Sequence, residues 1–370
     1  MNSEKVVIFE RGSFQLGVTT TIDPEAMDML SEMVVGSHGA QYHHKNVAER
    51  MHQTQGKYFM YLKQSGKIKA TVTTALRSID TAFGKVNAYY VRYFMFNTHL
   101  QASSDKRIKH GNPGLIKKLL QKYFTASPAT HGLGFGEDTS LPSFFYAYFD
   151  AENYRSTELS QILGLSPVGE FDTFAFTRLH PQKHKEVERL KKEDYPLIEN
   201  VLDDYYSNYS IYTKQYLFIN DNYFVWKENG EMVAGVQVNK CEWELRKMSG
   251  LTGLFMLRIL PYLPGLKNYV NPKKFEFITY DYIYVKPGHE DKLERMFITL
   301  LQEFKATFAL LWQDVKSPLH PVVNKMDKGF LSTFSKVPTG RTMMTLGNIS
   351  DEQVSQLMQK PVFTCAMDMT

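Results

Sequence analysis

Cysteine is nearly missing from this chain: its 370 residues hold two, Cys241 and Cys365. Two thiols so far apart make neither a disulfide framework nor a zinc site. No metal is expected, and the thiols read as free groups in a reducing compartment. Long apolar runs are missing too. No window approaches the ~18 apolar residues that a membrane span needs. The opening MNSEKVVIFERG has no signal-peptide core. The expectation is a cytoplasmic protein with no membrane partner. An excess of one charge sign is also lacking, since 43 Lys and Arg against 39 Asp and Glu leave +4. That balance permits acidic ligands but is not the concentrated basic face of a nucleic-acid protein, so nucleic acid is not an expected partner. Nucleophile signatures such as G-x-S-x-G are absent.

What the chain has is the composition of a globular protein, 43% apolar and 22% charged, with aromatic residues at 14%. Asp23-Pro24 opens a helical pattern over 23–35, with Asp23 as N-cap. KNVAERMHQ continues in helical spacing. KYFMYLK, a turn at Ser65-Gly66 and KIKATVTTALRSI read as a hairpin. A strand follows over 88–96, then the helical GLIKKLLQKYF, the aromatic strand FFYAYF (144–149), a helix over 151–163 that stops at Gly164, and the strand EFDTFAFTR. The charged stretch HPQKHKEVERLKKEDYP reads as a linker or an exposed helix.

Beyond it the order begins again. GKIKATV at Gly66 and GEMVAGV at Gly230 both follow an aromatic strand, 164 positions apart, and Gly164 and Gly329 end the late helices 165 apart. Two anchors in nearly the same register argue for a repeated domain. The second copy carries an insertion whose GLFMLRILPYLPGL is the most apolar stretch of the chain. It reads as a buried helix, or as the wall of an apolar ligand pocket.

This order, with a sheet that splits between its fourth and fifth strands, resembles the GNAT acyltransferase superfamily, in tandem over essentially the whole chain. The resemblance implies an α/β fold of two GNAT-like domains, each a mixed, mostly antiparallel sheet flanked by helices. They would span residues 1–180 and 196–370, with 181–195 between them, acyl-CoA held by the first domain and the second degenerate.

In that superfamily a loop of the form Gln/Arg-x-x-Gly-x-Gly/Ala opens the third helix and binds the pyrophosphate of acyl-CoA through its backbone N–H groups. The stretch KHGNPGLIKK (109–118) is similar: Gly114 stands at the first loop glycine and Leu119-Leu120 at the leucine pair that follows. Gly111 falls at the Gln/Arg position and Ile116 at the second small position, while Lys106, Arg107 and Lys109 bring positive charge. An ordinary turn at Asn112-Pro113-Gly114 is the other reading of the same residues. The second copy has the acidic loop KPGHEDKLERM instead, whose carboxylates repel a pyrophosphate.

The resemblance assigns further residues. The oxyanion donor would be a backbone N–H of the fourth strand, near Phe94, Met95 and Phe96. Asn153 would bond the pantetheine arm. The acid that protonates the leaving thiolate would fall on Ser160, with Tyr154 or Tyr148 as substitutes; in the second copy the same count lands on Lys325, so no tyrosine stands there either. Glu170 and Asp172 are acidic candidates for the base, and plain surface charge is their ordinary reading. The implied co-substrate is acetyl-CoA or another acyl-CoA, and the implied partner a small-molecule or peptide amine. A silent acyl-CoA-binding protein and a Fem-type aminoacyl transferase are the alternatives. His43-His44 lacks a third ligand and reads as an exposed polar pair. GLGFGED (132–138) follows a helix, so it is not a dinucleotide fingerprint.

Overall fold

A computed structural model of the chain describes residues 5–36, 40–96, 115–124, 138–248, 271–329, 338–345 and 349–370, with a few positions between 250 and 262. The first half opens with strands β1 (Lys5–Arg11) and β2 (Phe14–Thr19) and helix α1 (Pro24–Ser31). Asp23 caps α1 by accepting from the Glu25 N–H at 3.0 Å. Then come β3 (Ala40–His44), α2 (Val47–Gln53), β4 (Lys57–Gln64), β5 (Lys67–Thr81) and β6 (Gly84–Phe96). Helix α3 (Leu115–Phe124), β7 (Ser143–Asp150), α4 (Tyr154–Ile162) and β8 (Leu165–Thr177) complete it.

The second half runs β9 (Val187–Arg189), α5 (Tyr195–Tyr205), β10 (Tyr223–Glu228), β11 (Glu231–Met248) and β12 (Phe275–Val285). It ends with α6 (Glu290–Glu303), β13 (Phe308–Asp314), α7 (Leu319–Lys325), β14 (Thr339–Thr345), α8 (Asp351–Gln359) and α9 (Ala366–Met369). Thus β9 lies inside the charged stretch 181–195, as an edge strand on β10.

All fourteen strands join one sheet in the order β1-β2-β4-β5-β6-β7-β14-β8-β13-β12-β11-β10-β9, with β3 added on β11. The two halves repeat the same pairing. The hairpins β4–β5 and β10–β11 turn at Ser65-Gly66 and Asn229-Gly230, where all four residues have positive φ (+51°, +79°, +50° and +82°). Such mirror-image turns match the twist of the strands they join. In each half the next strand pairs antiparallel, and the one after it parallel.

The last strands are exchanged. β14 pairs with β7 and β8 pairs with β13, so each half's final strand completes the other half's sheet. Helix α3 packs Leu120, Tyr123 and Phe124 against Tyr89 and Phe145 of the first half. Helix α6 presents Leu293, Met296, Phe297, Leu300 and Leu301, at helical spacing, to Val236, Val238 and Tyr280 of the second. Among the described residues no helix is long and apolar enough to cross a membrane. Of the apolar insertion, Leu257 packs beside Trp243 and Phe308, while Ile259 and Tyr262 are exposed.

Candidate functional site

The sheet parts in two places, once in each half. β6 and β7 run in register from Asn87–Ser143 to Tyr90–Tyr146, after which β7 leaves β6 and stays paired on its other edge, to β14, as far as Asp150. In the second half β12 and β13 match at Ile278–Ala309 and Thr279–Leu310, while β13 stays with β8 to its end. Just beyond each parting the first strand bulges. On β6 the span Arg92–Met95 faces the shorter span Thr73–Thr71, and Tyr93 takes φ +53°. On β12 the span Asp281–Tyr284 faces Gln237–Gly235, and Tyr282 takes φ +46°. A non-glycine residue in the left-handed region costs about 1–2 kcal/mol, and bulges of this kind re-aim groups beside functional sites. The same strained device therefore stands at both partings.

The partings differ in what fills them. Residues Pro361–Ala366 lie against the second. Thr364 Oγ1 donates to the Trp312 carbonyl at 2.8 Å, and the Ala366 N–H donates to Asp281 Oδ2 at 2.9 Å. The Phe363 ring sits 5.0–5.2 Å from the rings of Tyr206, Tyr212 and Tyr282. Burial pushes the Asp281 carboxyl up to about 7, against the opposing pull of the Cys365 thiol and the Tyr282 and Ala366 N–H groups.

The following residues, α9 and Thr370, reach the first parting from one face of the sheet. Arg77 Nη1 and Nη2 clasp Asp368 Oδ2 and Oδ1 at 2.7 and 2.6 Å, and Tyr90 Oη donates to the Asp368 carbonyl at 2.8 Å. Arg92 donates from Nη1 to the Met367 carbonyl at 2.9 Å and from Nη2 to the Thr370 oxygen, with its guanidinium 4.5 Å over the Tyr93 ring. On the opposite face an apolar hollow of about 240 Å³, counting its open mouth, is lined by Leu16, Met60, Leu62, Val72, Phe94 and Leu120.

The residues singled out in the sequence are dispersed. Phe94 and Met95 stand at the β6 bulge, with Phe94 on the α3 face and Met95 packed towards α1 and α2; Phe96 ends the strand. Lys109, Gly111, Asn112 and Gly114 lie outside the described residues, as do Lys106, Arg107 and 132–137. Asn153 is the N-cap of α4, its Oδ1 accepting from the Ser156 N–H at 3.1 Å. Ser160 is buried and its hydroxyl donates to the Thr157 carbonyl at 2.7 Å. Tyr154 is 71% exposed on the first turn of α4. Tyr148 donates to the Phe363 carbonyl at 3.0 Å. Asp172 bonds His320 Nε2 at 2.9 Å and the Thr339 hydroxyl at 2.8 Å, and Glu170 lies 3.7 Å from Arg341. Lys325 ends α7.

One expectation is corrected. His44 is not exposed: it pairs with Trp243 across β3 and β11 and keeps 8% of its surface. Burial, then the Arg92 and Arg50 charges, hold its imidazole down to about 3, so it is neutral at ordinary pH. Sequence reasoning also missed Arg77, Arg92 and Asp368. The available signal was an arginine, Arg92, standing alone in the apolar run YYVRYFMF.

This sheet, parted in each half between antiparallel and parallel neighbours beside a bulge, is the tandem α/β arrangement that the GNAT-like order of elements led one to expect. Among solved structures it is similar to Saccharomyces cerevisiae N-myristoyltransferase with bound myristoyl-CoA. One such structure matches at a TM-score of 0.54 and 8% identity over 98% of this chain and 92% of the other. A second matches at 0.55 and 10% over 96% and 85%. No family profile and no curated protein sequence matches the chain.

Proposed function

We propose that the protein is an acyl-CoA-dependent N-acyltransferase that seats the thioester end of its co-substrate where β6 and β7 part. The observation that carries the reading is the asymmetry between the two partings. At the second, the chain's own Phe363 and Thr364 leave a hollow of about 250 Å³ walled also by Tyr206, Asp281 and Gln313, whereas the first opens on an apolar hollow of about 240 Å³ beside Phe94 and Leu120 and meets α9 on its other face through Arg77, Tyr90 and Arg92. In this reading a neutral amine attacks the thioester carbon, the C–N bond forms, the C–S bond breaks, the nitrogen loses a proton, and the leaving CoA thiolate takes one up to give the free thiol. Main-chain N–H groups of the Tyr93–Met95 bulge support the tetrahedral oxyanion. The pyrophosphate goes to 109–114, ahead of the α3 N-terminus. The myristoyl-CoA held by the similar yeast enzyme favours this class of co-substrate.

A second reading, a silent acyl-CoA-binding protein, is favoured by one observation. The Ser160 hydroxyl, at the position of the expected acid, is already committed to the Thr157 carbonyl. The experiment is thermal unfolding with acetyl-CoA and with a long-chain acyl-CoA, on the natural protein and on Gly114→Glu, followed by a thiol-release assay with an amine panel. Ligand binding raises the unfolding temperature by mass action. Protection lost in Gly114→Glu, together with thiol release, supports the transferase. Protection without release from any amine supports the silent binder. Absence of protection at millimolar acyl-CoA removes both.

A further inference from the structure

Buried polar atoms lacking a hydrogen-bond partner are concentrated in one place. Among the described residues, seven such atoms belong to His44 (Nδ1), Arg50 (Nε), Arg92 (Nε), Tyr93 (Oη), Asn239 (Nδ2 and Oδ1) and Trp243 (Nε1). These side chains form a ring across both halves. The His44 ring stands 6.1 Å from that of Tyr93 and 6.0 Å from that of Trp243. Arg50 Nη2 reaches the Cys241 sulfur at 3.4 Å and the Lys240 carbonyl at 3.3 Å. Asn239, Cys241 and Trp243 alternate along β11 and so share a face. Arg92 lies over Tyr93, and its charge and that of Arg50 both act on His44. The ring therefore adjoins the bulge where the thioester is placed, on the face that α9 approaches.

Orphaned buried polar groups each cost about 1–3 kcal/mol, so a concentration of them marks where something else binds. The chemistry of that ligand follows from the atoms left over. The two Nε–H groups, the indole N–H and the Asn239 amide nitrogen can only donate. The Asn239 amide oxygen can only accept, and Tyr93 and neutral His44 can do either. Arg50 and Arg92 are both more than nine-tenths buried; Arg92 spends both Nη groups on the Met367 and Thr370 oxygens, whereas Arg50 reaches neutral partners, Gln53, the Lys240 carbonyl and the Cys241 sulfur, and forms no ion pair among the described residues. A buried cation without a counter-charge is costly. The Arg50 guanidinium and the Arg92 Nε–H are charged donors of the kind that hold a carboxylate. The remaining acceptors suit an amine. The ring is not sealed, since His44, Arg50, Arg92, Tyr93 and Trp243 keep 4–8% of their surfaces.

We propose that this ring binds the acyl acceptor, and that the acceptor is an amine that also carries a carboxylate, as a free amino acid does. Its role as acceptor site rests on the transferase reading above. Its ligand chemistry does not.

The experiment uses the full chain without acyl-CoA. Unfolding is followed with each common free amino acid, with the matching α-carboxamide, and with inorganic phosphate. At least one amino acid is expected to protect at least tenfold better than its carboxamide, and Arg50→Gln to bring that ratio close to one. A purely structural Arg50 would weaken the fold and leave the ratio unchanged. Asn239→Asp guards against a variant that does not fold. By supplying a carboxylate to the guanidinium groups, it is expected to raise the unfolding temperature of the free protein and abolish the protection. Equal protection by acid and amide, protection by phosphate alone, protection by nothing (water fills the ring), or destabilisation by Asn239→Asp each overturns the proposal. Thiol release with carboxamides as fast as with acids would overturn it too, while leaving the transferase standing. Selective amino-acid binding without thiol release would remove the transferase and leave the ligand assignment intact.

Discussion

The guanidinium of Arg77 and the carboxylate of Asp368 meet fork to fork, at 2.7 and 2.6 Å, with both side chains almost wholly buried. They lie 291 positions apart, so this pair ties α9 to the first half's sheet. Three tyrosine rings, Tyr90, Tyr146 and Tyr216, stand 4.8–5.8 Å from the same guanidinium.

Asp368→Asn leaves that cation without its partner in a dry site. The expected loss is about 3–5 kcal/mol in urea unfolding. Replacing both members together, Arg77→Met with Asp368→Leu, is expected to recover most of the loss. A double variant as unstable as the single one would show that the pair is not energetically coupled.

Stability against pH should expose a hidden cancellation. His44 is held down to about 3, below its unfolded value near 6.5, so its contribution rises with pH between those limits. Asp281 is held up to about 7, above its unfolded value near 3.8, so its contribution falls with pH across the window between them. Between about pH 4 and 6.5 the two slopes oppose one another, each at up to about 1.4 kcal/mol per pH unit. Relative to the natural protein, Asp281→Asn is expected to gain stability as pH rises there, and His44→Gln to lose it. Chemical denaturation at several pH values reads both, and parallel curves for all three proteins would refute the assignment.

Phe363 is the ring that closes the second parting. Phe363→Ala is expected to cost about 3–5 kcal/mol and to loosen Pro361–Ala366. Hydrogen exchange at Thr364 and Ala366 should accelerate more than exchange in α3. Uniform acceleration would mean that the segment does not open locally.

The strand exchange predicts that residues 1–180 and 181–370 do not fold apart. Each piece alone should show a broad, non-cooperative transition, and co-expressed pieces should associate into one cooperative unit. A sharp transition in an isolated piece would show that it completes its sheet unaided.

How much of this could be read from the chain differs between local and distant features. The Asp23 cap, the Ser65-Gly66 turn, and β6 and β7 follow from residues a few positions apart, where φ preferences and side-chain alternation act directly. The GNAT pattern also placed the proposed site at β6. The exchange of β8 and β14 left no local trace, because either strand satisfies the same hydrogen-bond ladder. Nor did the convergence of Arg50, Arg92 and Asn239, which three separate strands and helices bring together. His44 illustrates the difficulty. A histidine pair looks solvated in sequence, yet His44 is buried because Trp243, 199 residues away, covers it.

The exchange of final strands has a consequence for biosynthesis. β7 and β8 are complete long before β14 leaves the ribosome, yet β14 is the strand that belongs between them. During that interval the nascent first half presents two bare strand edges, each a template for wrong pairing with another chain. Slower translation of residues 178–338, or depletion of chaperones that shield nascent chains, should therefore harm the yield of this protein more than its finished stability would suggest.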